Sequence, residues 1–383
     1  MSKLHDELAE RGQIVLVFQG GGALGAYQAG VYQALHEAGV EPDWVIGTSI
    51  GAINAALIAG APKDERIARL DAFWSRVATS KFMGLPLPDW TGLPIRNMMT
   101  IASGLPAFFS PRPLAFTNPF LPLGANASAY YSVSPLRELL GELIDFDRVN
   151  TGAMRLSVGA AKVQSAEMVY FDSRAEPLAV DHVLASGALP PAFPAVRIDG
   201  ELYWDGGILS NTPVEAVFDD EPRRSGTVFA VHLWNPHGPE PDSIWQVMNR
   251  QKDLQYSSRA AQNIKRQRQL HRLRHVVTEI AKLVPDTAAS AERLAELRGY
   301  GCETRMNVIR LLAPSLDNED HSKDIDFSPT GIRLRREAGY RHTREALAQA
   351  PWRKEIEPLD GLVLHEIRGG EVIRAAGAVS TTL

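Results

Sequence analysis

The sequence predicts an α/β protein with a mainly parallel sheet, followed by a mostly helical C-terminal region. Three observations carry this. Between Ile14 and Thr48 a buried strand, a glycine loop, a helix and a second buried strand follow one another. That second strand runs into Gly47-Thr48-Ser49-Ile50-Gly51, a strand–turn–helix corner. Beyond about Pro241 long helical stretches, rich in arginine and lysine at first, take over.

The 383 residues are enough for one large domain plus an extension, or for two domains. A hydrophobic fraction of 45% and a charged fraction of 22% exclude global disorder. The formal charge of −5 carries no whole-protein signature for nucleic acid. Cys302 is the single cysteine, which reads as excluding an internal disulfide and a Cys-based metal site. No metal and no other cofactor is expected. Met1 to Gly12 lacks the apolar stretch of a secretory signal, and no run approaches the ~20 apolar residues of a membrane span. The expectation is a cytoplasmic protein whose membrane contact, if it has one, is peripheral. Nothing in the sequence sets the oligomeric state.

In chain order, Ile14 to Phe18 is a β-branched and aromatic run, as in a strand buried on both faces. Gln19-Gly20-Gly21-Gly22-Ala23-Leu24-Gly25 follows, then a helix over Ala29–Ala38 ended by Gly39. A right-handed crossover places the glycine loop and the Ser49 corner at the same, C-terminal edge of the sheet. Lys63–Thr79 is helical. Residues 81–129 are rich in proline, aromatic residues and methionine, and read as a lid or acyl-chain wall over a site, the alternative being an insertion packed on the domain. Ser134–Leu140 opens a helix. Arg155–Ala161 and Glu167–Phe171 are strands, and Val180–Ala185 is a short helix. Ser186–Pro194 is a rigid loop leading to Asp205-Gly206-Gly207, a tight turn. Thr227–Leu233 is a buried strand expected to close the sheet. Asp242–Val284 is a long basic helix, with Leu270, Leu273, Val276, Val277 and Ile280 at helical spacing. It is either a solvated face packed on the core or an interfacial helix that meets anionic lipid. Thr287–Gly299 is helical, Val308–Leu312 a strand, Ser328–Gln349 a helix, and the tail from Gly377 disordered.

Gly47-Thr48-Ser49-Ile50-Gly51 matches the G-x-S-x-G nucleophile elbow. The serine needs a strained corner, and bulky neighbours would not fit there. Gly20, Gly22 and Gly25 also match G-x-G-x-x-G, a dinucleotide pattern. That pattern wants an acid at the end of the next strand, and here Asp43 precedes the strand. The stronger alternative is that the amides of Gly20, Gly21, Gly22 and Ala23 form an oxyanion hole.

Taken together, the glycine loop, the Gly47–Gly51 elbow and Asp205-Gly206-Gly207, in this order and with Ser186–Pro194 ahead of the aspartate, resemble the patatin-like phospholipase family. The resemblance covers roughly Ile14 to Leu233. It implies a three-layer α/β/α sandwich over residues 1–240, with 241–383 similar to the helical extension of some bacterial members. It implies hydrolysis of lipid acyl esters by a dyad, with Ser49 as nucleophile and Asp205 as base. Gln19 stands where the family often has Asp, and Leu24 where it usually has a basic residue near the oxyanion loop. Two alternatives remain at this stage. One is a Ser-His-Asp hydrolase using His232, His237, His321, His342 or His365. The other is a non-catalytic lipid-binding protein of the same fold.

Overall fold

The computed structural model describes residues 3–78, 81–82, 85–86, 93–152, 154–285, 291–316, 319–357, 359–368 and 371–374. Met83, Pro88, Trp90, residues 287–290 and the tail from Gly377 lie outside the described residues.

Ten strands form one mixed sheet. They are β1 (Gln13–Phe18), β2 (Trp44–Thr48), β3 (Arg155–Lys162), β4 (Met168–Asp172) and β5 (Val196–Ile198), then β6 (Glu201–Asp205), β7 (Gly226–His232), β8 (Met306–Leu312), β9 (Leu362–Arg368) and β10 (Glu371–Arg374). Their order is β10-β9-β8-β7-β1-β2-β3-β6-β5, with β4 also paired to β3. The run β9-β8-β7-β1-β2-β3 is parallel throughout.

The continuous apolar run of β1 follows from burial on both faces. Leu16 and Phe18 enter the larger core, while Val15 and Val17 enter a smaller one on the opposite face. Burying one such side chain contributes about 1.5–3 kcal/mol. Helices α1 (Ala26–Glu37), α2 (Ile50–Ala59) and α3 (Arg66–Val77) lead the chain away from β1 and β2. Further along come α4 (Leu93–Ser103), α5 (Ser134–Leu143), α6 (Val180–Ser186), α7 (Ile244–Leu283), α8 (Ala291–Gly299) and α9 (Pro329–Gln349). The larger core draws on α1, α2, α3, α5, α6 and α9. The smaller core is covered by Val217 and Phe218 of the short helix Glu215–Phe218 and by Ile264 of α7. The architecture is therefore a three-layer α/β/α sandwich. Helices α1 and α9 touch through glycine: a Cβ on Gly30 would lie 1.9 Å from the Arg336 carbonyl oxygen, and one on Gly339 2.0 Å from that of Tyr27.

Three expectations change. Strand β7 does not close the sheet but lies inside it, between β1 and β8. The division into 1–240 and 241–383 does not separate two layered bodies, because α7 covers the second face and β8, β9 and β10 extend the same sheet. Parallel partners far apart in sequence share no turn, so no local signal announces the pairing. Finally, α7 buries Asp253, Ser257, Ile264, Gln267, His271 and His275, whereas Leu273 and Ile280 are 62% and 57% exposed. Its packed stripe is largely polar and is held by partners such as Lys323, whose Nζ stands 2.7 Å from Asp253 Oδ1.

The proline-rich segment contains α4 and the short helix Pro113–Thr117, and no long helix among its described residues. No helix among the described residues is long and apolar enough to cross a membrane.

Candidate active site

Ser49 sits between β2 and α2 with φ 58° and ψ −126°. A non-glycine residue held there stores about 1–3 kcal/mol of strain. The corner closes because its flanks are bare. A Cβ on Gly47 would lie 2.2 Å from the Gly51 carbonyl oxygen, and one on Gly51 2.5 Å from that of Phe18. Gly47→Ala is therefore expected to cost about 1–3 kcal/mol, read as a lower melting temperature.

Sheet register delivers the carboxylate to the serine. Strand β2 runs parallel to β3 and ends with Thr48 opposite Gly159. Strand β6 runs antiparallel to β3 and ends with Asp205 opposite Ala160. The two chains thus approach head to head along one neighbour. The Ser49 hydroxyl lies beside the Asp205 carboxylate and favours its ionised form. Asp205 Oδ1 also accepts the Gly207 amide at 2.7 Å. Burial pushes the Asp205 pKa up from 3.8 to about 6, against the lowering effect of Ser49 and of the Gly207 hydrogen bond. A carboxyl at about 6 is a far better proton acceptor than an ordinary aspartate, yet is mostly ionised at pH 7. Gly206 permits the close turn, since its Cβ would lie 2.5 Å from the Gly159 carbonyl oxygen.

Two residues without an assigned role in the sequence hold this arrangement. The Ser49 amide donates to Ser186 Oγ at 3.0 Å, and the Ser186 hydroxyl donates to the Gly159 carbonyl at 2.6 Å. Asn211 grips the glycine loop from both sides: the Gly20 amide donates to its carbonyl at 3.1 Å, and its Nδ2 donates to the Gly20 carbonyl at 3.1 Å. Trp234 Nε1 donates to the same Gly20 carbonyl at 2.8 Å.

The Gly20 amide is thereby committed and is not free to bind an oxyanion here. Gly21 and Gly22 line the cavity beside Ser49, and among the described residues their amides donate to no acceptor. Ala23 is fully buried in the larger core, and Gly25 packs against Ile50. Asn211→Ala keeps the main-chain bond to the Gly20 amide but removes the side-chain bond to the Gly20 carbonyl; the loosened loop should lower kcat with KM little changed, by steady-state kinetics.

The two departures at positions 19 and 24 have distinct consequences. Gln19 Oε1 accepts the amides of Leu233 and Trp234, while its Nε2 donates to Thr212 Oγ1 at 2.7 Å and to the Tyr256 carbonyl at 3.3 Å. A carboxylate has no hydrogen to give the last two. Leu24 is buried in the core. Cations nevertheless stand near the loop, because Lys252 and Lys323 lie 5.9 and 5.6 Å from the centroid of the Trp234 ring. Each is paired, Lys252 with Asp324 and Lys323 with Asp253.

The cavity over Ser49 and Asp205 has a volume of about 210 Å³. Its walls are mostly apolar, with Ile53, Phe193 and Phe327 from the core and Ile101, Phe108 and Phe109 from the proline-rich segment. That segment is thus a wall of the cavity. Tyr256 of α7 also lines it, so residues beyond 240 help to build it.

No histidine lies among the described residues lining this cavity. His232 is fully buried, and burial holds its imidazole in the neutral form. His342 Nδ1 meets the Tyr27 hydroxyl at 3.0 Å, and His365 Nε2 meets Asn307 Oδ1 at 3.2 Å. His237 and His321 also stand outside the cavity lining.

A serine on an elbow, beside a buried carboxylate at the carboxyl edge of a parallel sheet, has the form of a serine-hydrolase site. Comparison with known proteins narrows the class. The family model described as patatin-like phospholipase matches residues 16–218, just over half of the chain. A second, described as patatin phospholipase, matches residues 254–359. The chain belongs to the patatin-like phospholipase family. It is 41% identical over 202 residues to human patatin-like phospholipase domain-containing protein 6, a match covering 53% of this chain and 12% of that protein. It is 59% identical over 44 residues to lysophospholipase nte1 of Aspergillus terreus, covering 12% of this chain and 3% of that one. Among solved structures, VipD from Legionella pneumophila aligns with a TM-score of 0.39 at 17% identity, over 88% of this chain and 67% of that one.

Proposed function

We propose that the protein is a lipid acyl hydrolase of the phospholipase A type, working through a Ser49–Asp205 dyad. The observation that carries this is that Ser49 and a buried Asp205, whose pKa is raised to about 6, line the same apolar cavity side by side. Asp205 takes the hydroxyl proton as Ser49 Oγ bonds to the ester carbonyl carbon. The amides of Gly21 and Gly22 hold the resulting oxyanion. The carbonyl re-forms, the ester C–O bond breaks, and the leaving alkoxide takes the proton back from Asp205. Water then attacks the acyl-serine, with Asp205 as base, and the fatty acid leaves as Ser49 regains its proton. No histidine is needed at any step. The apolar wall formed by Ile101, Phe108 and Phe109 takes the acyl chain.

The test is fatty-acid release from a lysophospholipid, a diacylphospholipid and a medium-chain chromogenic ester. Lysophospholipid belongs in the panel because one relative carries that substrate in its name. Turnover of at least one of the three is expected, and failure of all three would exclude the proposal.

The enzyme is further proposed to be cytoplasmic and to meet its lipid peripherally. Lys265, Arg266, Arg272, Leu273 and Ile280 leave an exposed basic and apolar side on α7, and Phe120 of the cavity-wall segment is 92% exposed. Vesicle binding should rise with anionic lipid and fall with added salt; binding indifferent to both would remove this contact.

A further inference from the structure

A second cluster of chemically able side chains lies away from the cavity. His271 and His275 stand four residues apart on the packed stripe of α7. Cys302 reaches them from the segment joining α8 to β8. All three are buried, and Nε2 or Nδ1 of each histidine and Sγ of the cysteine lie within 4.8 Å of one another. The Thr304 carbonyl oxygen stands 2.9 Å from His271 Nε2 and 2.9 Å from His275 Nε2. None of these residues lines the cavity at Ser49.

We propose that His271, His275 and Cys302, with the Thr304 carbonyl, form a structural site for a divalent metal ion of the zinc class. Donors around tetrahedral zinc, with bonds of about 2.0–2.3 Å, stand roughly 3.3–3.8 Å apart, so only small side-chain movements are needed. Two imidazoles, one thiolate and one carbonyl suit a borderline-soft ion better than magnesium or calcium. The surroundings suit a thiolate. The Thr304 amide donates to Cys302 Sγ at 3.4 Å, and the Thr304 hydroxyl lies 2.8 Å from it. Gly361 leaves the space, since a Cβ there would lie 2.4 Å from His275 Nε2 and 2.5 Å from His271 Cδ2. Burial on all sides leaves no open coordination position for substrate, which makes the site structural. The ion would fasten α7 to the segments that lead into β8 and β9, and so hold the layer that carries Tyr256 to the cavity. Binding releases the thiol proton to solvent and involves no redox step.

The geometry also admits a rival in which both imidazoles donate to the Thr304 carbonyl and no metal binds. Titration of the chelator-treated full-length protein separates the two. One equivalent of zinc is expected to bind and to raise the melting temperature. Cobalt is expected to give the thiolate-to-metal charge-transfer absorption of one coordinated cysteine. The near-isosteric Cys302→Ser should abolish that absorption and weaken zinc binding at least tenfold. A wild type that binds no equivalent of zinc, or cobalt bound without the thiolate absorption, would overturn the site. The wild-type spectrum reads the ligand set directly, so the result stands even where a variant folds poorly.

Discussion

Ser49→Ala is expected to lower kcat/KM for any ester substrate by about 10⁴-fold or more while leaving the fold intact. The size follows from the role. Removing Oγ removes the atom that bonds to the carbonyl carbon. The loss has a second consequence. Ser49 lowers the Asp205 pKa, so in the alanine variant Asp205 holds its proton to higher pH than about 6. Ser49→Gly separates catalysis from strain. It should be equally inactive, yet more stable by about 1 kcal/mol, because glycine accepts the positive φ without cost. Ester turnover and thermal unfolding of both variants beside wild type check the pair of results. Activity retained by either would remove Ser49 from the reaction.

Asp205→Asn is expected to lose about 10²–10⁴-fold in kcat, and to gain stability at neutral pH. Its shape lets the amide keep the contacts with Ser49 and Gly207 while removing a charge buried at 2% exposure. The sign of the stability change follows from linkage. Burial raises the folded-state pKa from 3.8 to about 6, so between these values the folded protein binds more protons than the unfolded chain. Wild-type stability therefore falls as pH rises through that window, by on the order of 3 kcal/mol in all. The asparagine variant lacks that slope. Its melting temperature should exceed that of wild type at pH 7 and draw level with it below about pH 4. Wild-type kcat/KM should rise with pH as Asp205 ionises, near pH 6, and the residual rate of the variant should not. A variant less stable than wild type at pH 7 would show that the carboxylate is not held against its desolvation cost.

The elbow was legible because it is local and steric. Gly47 and Gly51 sit within touching distance in space and in sequence, so their pattern exposes the requirement directly. The glycine loop was legible as a stretch, but not atom by atom. Gly20 carries a committed amide because Asn211, far along the chain, folds back onto it. No spacing rule marks Ser186, which bridges the ends of β2 and β3, or Asn211, which folds back from beyond β6 onto the loop after β1. The packed side of α7 escapes the sequence for a related reason. Its leucines at helical spacing mark an exposed stripe, whereas ion pairs and the imidazoles of His271 and His275 bind the opposite side to the protein. The cysteine count told only part of the story. One cysteine excludes a disulfide within the chain, but says nothing about histidines that the fold brings beside it. Val308–Leu312 reads as a strand, but the helical appearance of the last third hid β9 and β10, and nothing local marks the parallel pairing of β8 with β7 or of β9 with β8 across long connections.

The central claim is that Asp205 activates Ser49. Labelling with an alkyl fluorophosphonate tests it most directly, because the reagent loses fluoride as a serine oxygen bonds to phosphorus and needs no lipid interface. The wild type should take up one equivalent, mapped by mass spectrometry to the peptide containing Ser49. The rate should rise with pH to a plateau above about pH 6 and fall by at least a hundredfold in Asp205→Asn. A label placed on another residue, or on Ser49 at a rate unchanged by Asp205→Asn, would contradict the dyad.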